Sequence, residues 1–522
     1  MASNTEEASP GSPTIGLAEE MAMEPSTCVA AEEPELPAAA PPAEPLPPTA
    51  RRTRVVVLGS GWGAVSFIKN LDPQAFGERG PYELVVVSPR NYMLYTPLLP
   101  SAVGGVVSEN SIVESIRKIV GDKGTYYEAR VADINPATRT LTCVKEYCEV
   151  CAARKHSGHT EADHTFTLAY DIVLCSVGAV NATFGIPGVP EHCWFLKSME
   201  DASRLRRHIS KAVEHAALPD TTPEQRKKLL SFVVVGGGPT GVETAAELYD
   251  LLAEDVARSL PQIKASCSAD DVSITLVDGM DSLLGSFHKE IQTYAGEVFH
   301  HHGIKLRLGT KVTAVHEGHI SVQLKDGSLD TVPYGTAIWA TGIAMHPLVA
   351  QLQARLPAAV QTSRRGLLVD PHLRVLGSQG TIFCLGDAAV TGAAPQAALP
   401  PTAQVARQEG EYLAALLSKN RLALREDADV DADPVGEELV PLPPRAKPFR
   451  YTHLGALAYL GEQKGVMDLP VKTPFLKTLR GYLGAQAWRT LETFMQISPR
   501  TRWLVMHDWM RASLFGRNVS DI

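Results

Sequence analysis

Two short stretches constrain this chain more than anything else in it. Val55-Val56-Val57-Leu58 runs directly into Gly59-Ser60-Gly61-Trp62-Gly63-Ala64 and then into the helical pattern Val65-Ser66-Phe67-Ile68. Further along, Phe232-Val233-Val234-Val235 runs into Gly236-Gly237-Gly238-Pro239-Thr240-Gly241 and the pattern Val242-Glu243-Thr244-Ala245-Ala246-Glu247-Leu248. A short continuous apolar run suits a strand buried on both faces, and a glycine turn from such a strand into a helix fits G-x-G-x-x-G/A. The first glycine permits the tight turn, the second lets backbone approach a pyrophosphate, and the small last residue allows the helix to pack closely on the strand. The helix N-terminus then offers unpaired N–H groups to the anion. An α/β fold with two Rossmann-like dinucleotide-binding domains is the expectation.

The strand after each turn sorts the two ligands. Ile274-Thr275-Leu276-Val277 ends in Asp278, where a carboxylate accepts hydrogen bonds from both ribose hydroxyls and repels a 2′-phosphate. No Arg lies in 279–287 to receive such a phosphate, so this site predicts NADH. Leu84-Val85-Val86-Val87 ends instead in Ser88-Pro89-Arg90, with no acid, which suits FAD better than free NADH. Two later strand ends extend the set. Ala337-Ile338-Trp339 leads into the small-residue turn Ala340-Thr341-Gly342, and Ile382-Phe383-Cys384-Leu385 leads into Gly386-Asp387. A carboxylate at the latter position can hold the ribityl chain of a flavin.

Composition narrows the remaining classes. The chain has 522 residues, 44% of them hydrophobic and 20% charged, with a net charge of −9; this is an ordinary globular balance that argues against a nucleic-acid partner. No uninterrupted apolar run is long enough for a spanning helix. Residues 1–52 are expected to be disordered. The first 50 hold ten Pro, eleven Ala and nine Glu with no Lys or Arg, too little apolar surface to offset ordering entropy and unlike an Arg-rich transit peptide. Residues 421–448 read as a linker. Asp427, Asp429, Asp431 and Asp433 alternate there as in a calcium loop, but the glycine such a loop needs at its sixth position falls on Ala432 or Pro434. Residues 441–522 carry twelve Lys and Arg against five Asp and Glu, a basic tail suited to an anionic surface. The eight Cys are scattered and do not form a disulfide framework.

Three further stretches narrow the class: Ser88-Pro89-Arg90-Asn91-Tyr92 with Thr96-Pro97-Leu98-Leu99-Pro100, then Pro400-Pro401-Thr402-Ala403-Gln404-Val405-Ala406-Arg407-Gln408, then Leu454-Gly455-Ala456-Leu457-Ala458-Tyr459-Leu460-Gly461. With these, the chain from about Arg54 to Phe515 resembles the type II, non-proton-pumping NADH:quinone oxidoreductases of plants, algae and fungi. The resemblance implies an FAD domain, 53–195 and 346–420, interrupted by an NADH domain, 196–345, and a C-terminal region, 449–522, that docks on one membrane leaflet. It implies FAD contacts at Gly59, Ser60, Gly61, Trp62, Gly63, Ala64, Arg90, Pro97, Gly178 and Asp387. The implied NADH contacts are Gly236, Gly238, Pro239, Thr240, Gly241, Glu243, Asp278, Ala340, Thr341 and Gly342. Glu243 would lie beside the nicotinamide, anchoring its carboxamide or relaying a proton. The implied reaction has two halves, hydride transfer from NADH to the flavin and then two-electron transfer to a quinone on the flavin's other side. The acceptor would be ubiquinone or plastoquinone, the assembly a homodimer, and the location the mitochondrial inner membrane or, as an alternative, the stromal face of the thylakoid.

The quinone site rests partly on geometry. After the Pro400-Pro401 break, Thr402 can cap a helix on which Gln404 and Gln408 share one face. Their amides can donate the hydrogen bonds that a quinone oxygen needs as it becomes negative. The resemblance adds Tyr459 as a second contact. In the tail, Leu483, Ala487, Leu491, Phe494 and Met495 fall at helical spacing, with Arg480, Arg489, Glu492 and Gln496 elsewhere around the wheel. Trp503, Met506, Met510 and Leu514 repeat the pattern, flanked by Arg500, Arg502, Arg511 and Arg517. Such stripes with Trp and Arg margins suit an interfacial helix pair.

Two rivals use the same glycine turns. A soluble disulfide reductase would need a C-x4-C pair near the flavin; Cys143 and Cys148 have the spacing but lie far past the first turn. A flavin-bearing interaction protein switched by NADH leaves the Gln404/Gln408 helix unexplained. Cys148, Cys151, His156 and His159 offer enough ligands for a zinc clasp, although the spacing is tight and a polar excursion between two strands is the preferred reading; no metal is expected.

Overall fold

The computed structural model describes residues 52–77, 79–145, 165–256, 272–391, 398–420, 422, 440–442, 446–470 and 478–518. The strand Thr53–Leu58 sits inside the first sheet, with Val55, Val56, Val57 and Leu58 wholly buried, as a strand covered on both faces requires. Its seven strands run in the order Ile382–Cys384, Ile172–Cys175, Thr53–Leu58, Tyr82–Ser88, Gly124–Asn135, Thr140–Lys145, Thr165–Ala169. The first five pair in parallel and the last two join antiparallel. One edge strand therefore comes from beyond residue 380, and the second sheet is inserted between the two parts in sequence.

That second sheet runs Cys193–Phe195, Thr336–Trp339, Ser231–Val235, Ser273–Val277, Lys305–Arg307, all in parallel. Cys193–Phe195 pairs here with Thr336–Trp339, so the boundary expected at 196 falls just after the strand that opens this sheet. Ala179–Asn181 pairs antiparallel with Ile343–Met345, forming a two-stranded link where the chain enters and leaves the insertion. The α/β class with two Rossmann-like sheets is the architecture found.

The C-terminal region begins with the antiparallel strands Ala456–Gly461, Lys464–Asp468 and Thr478–Arg480 and continues into helices Gly481–Phe494 and Pro499–Phe515. The second helix starts at a capping box: the Ser498 side chain accepts from Thr501 N–H while Thr501 Oγ1 accepts from Ser498 N–H, with Pro499 at the first helical position. Both helices pack with an unusual polarity. Toward the protein they bury Trp488, Glu492, Thr501, Val505 and Asp508, and Gln496 is buried in the connection between them. Outward they leave Tyr482, Leu483, Phe494, Trp503, Met506, Met510, Leu514 and Phe515 exposed. Arg517, expected on the basic margin of this face, turns inward instead: its guanidinium bridges Glu247 and Asp250 and also donates to Gly104 C=O. No helix among the described residues is long and apolar enough to cross a membrane.

Candidate active site

The first glycine turn is shaped for backbone approach. Gly59 has φ +105°, and a Cβ there would lie 2.4 Å from Ser176 O. Gly63 has Leu385 Cδ1 2.4 Å from its would-be Cβ, whereas Gly61 and Gly178 have nothing within 4 Å. The open positions are where a pyrophosphate can approach, so the cradle fits FAD. Ala64 is wholly buried at the helix–strand contact. Ser60 Oγ accepts from Ser88 Oγ at 3.0 Å, which ties the turn to the strand end carrying Arg90. Trp62 donates from its indole N–H to Thr96 Oγ1 at 3.0 Å and stands edge-on to Tyr95, ring centroids 5.1 Å apart, which brings it together with Pro97. Arg90 is exposed, its N–H donating to Ser88 Oγ at 3.2 Å.

Asp387 follows Gly386, whose φ is +68° and whose N–H donates to Glu409 at 2.6 Å. Burial pushes the Asp387 carboxyl up, opposed by Lys197. Burial also pushes Glu409 up to about 8, opposed by the Gly386 N–H and assisted by Asp387. Glu409 belongs to the helix Ala403–Asn420, whose start Thr402 caps as expected. The same helix crosses Trp62–Lys69 so closely that a Cβ on Gly410 would lie 2.4 Å from Gly63 O, and Ser66 Oγ donates to Arg407 C=O at 2.8 Å. The helix bearing Gln404 and Gln408 thus reaches both the first glycine turn and the Asp387 turn.

The second turn repeats the geometry. Gly236 has φ +123° with its would-be Cβ 2.6 Å from Ala340 O, and Gly241 could accept no Cβ, since one would lie 1.9 Å from Gly236 O. Gly238 is open, and Pro239 and Thr240 begin the helix. Asp278 accepts from Gly237 N–H and Met280 N–H at the mouth, so its carboxylate is oriented by backbone alone. Exchanging Asp278 for Asn is expected to narrow the preference for NADH over NADPH roughly tenfold, the effect of removing one charge from beside the 2′ position. The ratio of kcat/KM for the two nucleotides measures it, and an unchanged ratio would count against this placement.

Two implied contacts, Glu243 and Tyr459, lie deeper than expected, and the two glutamines are already engaged with backbone. Glu243 is 8% exposed and accepts from Tyr459 N–H at 3.2 Å and from the Trp488 side chain. Burial, reinforced by Glu492 and Glu247, pushes its carboxyl well above the usual range. Tyr459, expected as a quinone contact, is 3% exposed; its hydroxyl donates to Asp250 at 2.7 Å and its ring stacks on Trp488. The Gln404 amide donates to Gly455 C=O at 2.7 Å and accepts from Leu454 N–H, while Gln408 donates to Thr452 C=O and accepts from Thr452 N–H, both at 2.9 Å. Both glutamines therefore clasp the segment 452–455 across their helix.

Sequence reasoning missed Glu409, Glu492, Tyr95 and Trp488. Tyr95 donates to Glu492 at 2.7 Å, and burial pushes Glu492 up to about 7. Glu492 lay among the polar residues of an amphipathic wheel, and nothing in the sequence marks it as interior. Cys143 is buried in Thr140–Lys145 and burial pushes its thiol up to about 11, leaving no ready thiolate for disulfide chemistry. Cys148, Cys151, His156 and His159 lie outside the described residues.

Two glycine cradles, a half-buried acid at a third strand end and a helix that joins this acid to the first cradle define a two-dinucleotide flavoprotein. The family model described as pyridine nucleotide-disulphide oxidoreductase matches residues 53–410, and that described as NDH2 C-terminal domain matches 453–518. An external alternative NADH-ubiquinone oxidoreductase of Yarrowia lipolytica mitochondria is 37% identical over 92% of this chain and 82% of its own length. The external alternative NAD(P)H-ubiquinone oxidoreductase B2 of Arabidopsis thaliana mitochondria is 34% identical, covering 90% of each chain. The structure of NDH2 from Plasmodium falciparum in complex with NADH superposes with a TM-score of 0.75 at 25% identity, covering 90% of this chain and all of that one. The chain belongs to the pyridine nucleotide-disulphide oxidoreductases and, within them, to the type II NADH:quinone oxidoreductases. These findings favour neither the disulfide reductase nor the NADH-switched interaction protein.

Proposed function

We propose that this chain passes two electrons from NADH through FAD to ubiquinone while attached to one leaflet of the mitochondrial inner membrane. The observation that carries it is the Ala403–Asn420 helix, which packs on Gly63 at one end of the FAD cradle and holds the Gly386–Asp387 turn at the other. When bound, FAD supplies the chemistry that couples a two-electron donor to a quinone. The chain's own part is positioning. The first glycine turn cradles FAD, the second glycine turn and Asp278 fix NADH, Asp387 holds the ribityl chain, and Gln404 and Gln408 form the wall the quinone meets, directly or through the 452–455 segment they clasp. Glu243, whose carboxyl burial pushes toward the neutral form, is placed to donate a hydrogen bond or pass a proton. Tyr459 backs that site through its backbone N–H to Glu243.

Relatives named as mitochondrial ubiquinone oxidoreductases support ubiquinone over plastoquinone and the mitochondrion over the thylakoid. The outward apolar face of the two C-terminal helices supports attachment to a single leaflet. A homodimer belongs to the same reading.

Changing Gln404 and Gln408 together to Ala is expected to slow flavin reoxidation by quinone about 10- to 100-fold, the range for lost oriented donors, while flavin reduction by NADH stays within about twofold. Stopped-flow absorbance follows each half-reaction separately. Unchanged reoxidation would remove this helix from the quinone site.

A further inference from the structure

Phe184 stands where turn chemistry favours asparagine, aspartate or glycine. Residues 183–186 close a tight turn in which Ile186 N–H donates to Thr183 C=O at 3.0 Å. Both central residues have positive φ, +53° at Phe184 and +69° at Gly185. Asn-Gly and Asp-Gly are the usual pairs in such turns, because a bulky side chain is strained in the left-handed region. Burial does not compensate the strain, since Phe184 remains 64% exposed.

Its ring is nevertheless held in one place. It stands over the turn Ala340-Thr341-Gly342: a Cβ on Gly342, φ +75°, would lie 2.4 Å from Phe184 Cζ. The glycine therefore makes room for the ring as well as for the turn. Trp339 lies behind, ring centroids 6.4 Å apart, and its indole N–H donates to Ala182 C=O at 2.9 Å. Ala182 N–H in turn donates to Gly342 C=O at 3.3 Å, so the loop and the turn are fastened to each other.

The sheet order says what the ring faces. Thr336–Trp339 and Ser273–Val277 flank Ser231–Val235 on opposite sides. A dinucleotide with its pyrophosphate on Gly236–Gly241 and its adenosine ribose on Asp278 extends its nicotinamide half across the 340–342 turn, at the carboxyl ends of the strands. We propose that Phe184 is a contact residue for NADH, its exposed ring packing on the nicotinamide-ribose half and shielding it from water. Backbone strain held at an exposed position of this kind is characteristic of ligand clamps. The inference rests on the second glycine turn being the NADH site.

Three variants test it: Phe184→Asn, Phe184→Tyr, and Asp278→Asn as a marker of the site itself. In Phe184→Asn the Kd for NADH, from the concentration dependence of flavin reduction, is expected to rise roughly three- to tenfold, the effect of one lost aromatic contact. Its melting temperature should be equal or higher, because Asn tolerates positive φ, and FAD content and quinone reoxidation should not change. Phe184→Tyr should behave like the parent. A Kd within twofold of the parent in Phe184→Asn, while Asp278→Asn weakens binding, overturns the inference and leaves the NADH site in place. If neither variant alters NADH binding, the site reading fails with it. A lower melting temperature or lost FAD in Phe184→Asn, with NADH binding per flavin unaltered, makes the residue structural and also overturns the inference.

Discussion

Replacing Arg517 with Met is expected to destabilise the folded protein by about 3–5 kcal/mol at neutral pH, the cost of removing one partner from a buried ion pair. The guanidinium is only 10% exposed and its partners Glu247 and Asp250 only 3%. Without it, two carboxylates stay buried between the helix Pro239–Asp250 and the C-terminal region. Asp250 would keep Tyr459 OH and Glu462 N–H, and Glu247 would keep Ser101 Oγ, but neither would face a cation. Burial has already pushed Asp250 up to about 6 with Arg517 opposing it, and its loss would push the carboxyl higher. An acid whose folded pKa exceeds its unfolded value binds its proton more tightly in the fold, so stability falls as pH rises from the unfolded value through the folded one. The deficit of the variant should therefore grow between about pH 5 and pH 8. Denaturant unfolding followed by flavin fluorescence measures it. An unchanged midpoint at pH 8 would refute the pairing, and adding Asp250→Asn should recover part of the loss. The same pairing explains why cutting the chain at Leu479 is a poor probe of membrane attachment: it removes Trp488, Glu492 and Arg517 from the interior together with the exposed face.

What the sequence revealed and what it hid divide along one physical line. The glycine turns, Asp278 and Gly386-Asp387 were legible because backbone approach and strand-end chemistry are local, written within a few residues of each other. The same holds for the capped Gln404 helix, where Thr402 and the Pro pair precede it directly. Glu492, Arg517 and Tyr459 were not legible in this way. Each has its place set by a partner hundreds of residues away: Tyr95 for Glu492, Glu247 for Arg517, Asp250 for Tyr459. On a helical wheel Glu492 and Arg517 read as solvent-facing, and only the opposing element shows that they face inward. Phe184 failed for the reverse reason, since Thr183-Phe184-Gly185 is local but its left-handed conformation goes against the ordinary preference of phenylalanine.

Replacing Leu483, Phe494, Trp503, Met510, Leu514 and Phe515 with Ser is expected to release the enzyme from membranes while leaving the NADH reaction with short-tailed quinones nearly intact. These side chains are 49–84% exposed, so none of them is part of the protein's own core and the fold loses little with them. Their neighbours on the same helices supply the interior packing through Trp488, Glu492, Val505 and Asp508. At roughly 1 kcal/mol for each partly inserted side chain, six substitutions lower membrane partitioning by about 10⁴-fold. Arg500 donates to Val113 C=O and Arg511 to Val106 C=O, and Arg517 faces inward, so headgroup attraction is a smaller contribution than the basic tail suggests. High salt should accordingly remove only part of the unaltered protein from vesicles, because screening acts on charge and leaves apolar burial in place. Long-tailed quinones, which stay in the bilayer, should be reduced more slowly by the released variant than short-tailed ones. The decisive measurement is co-sedimentation with anionic vesicles alongside FAD content: a folded, flavin-loaded variant that still sediments would show that another surface makes the attachment.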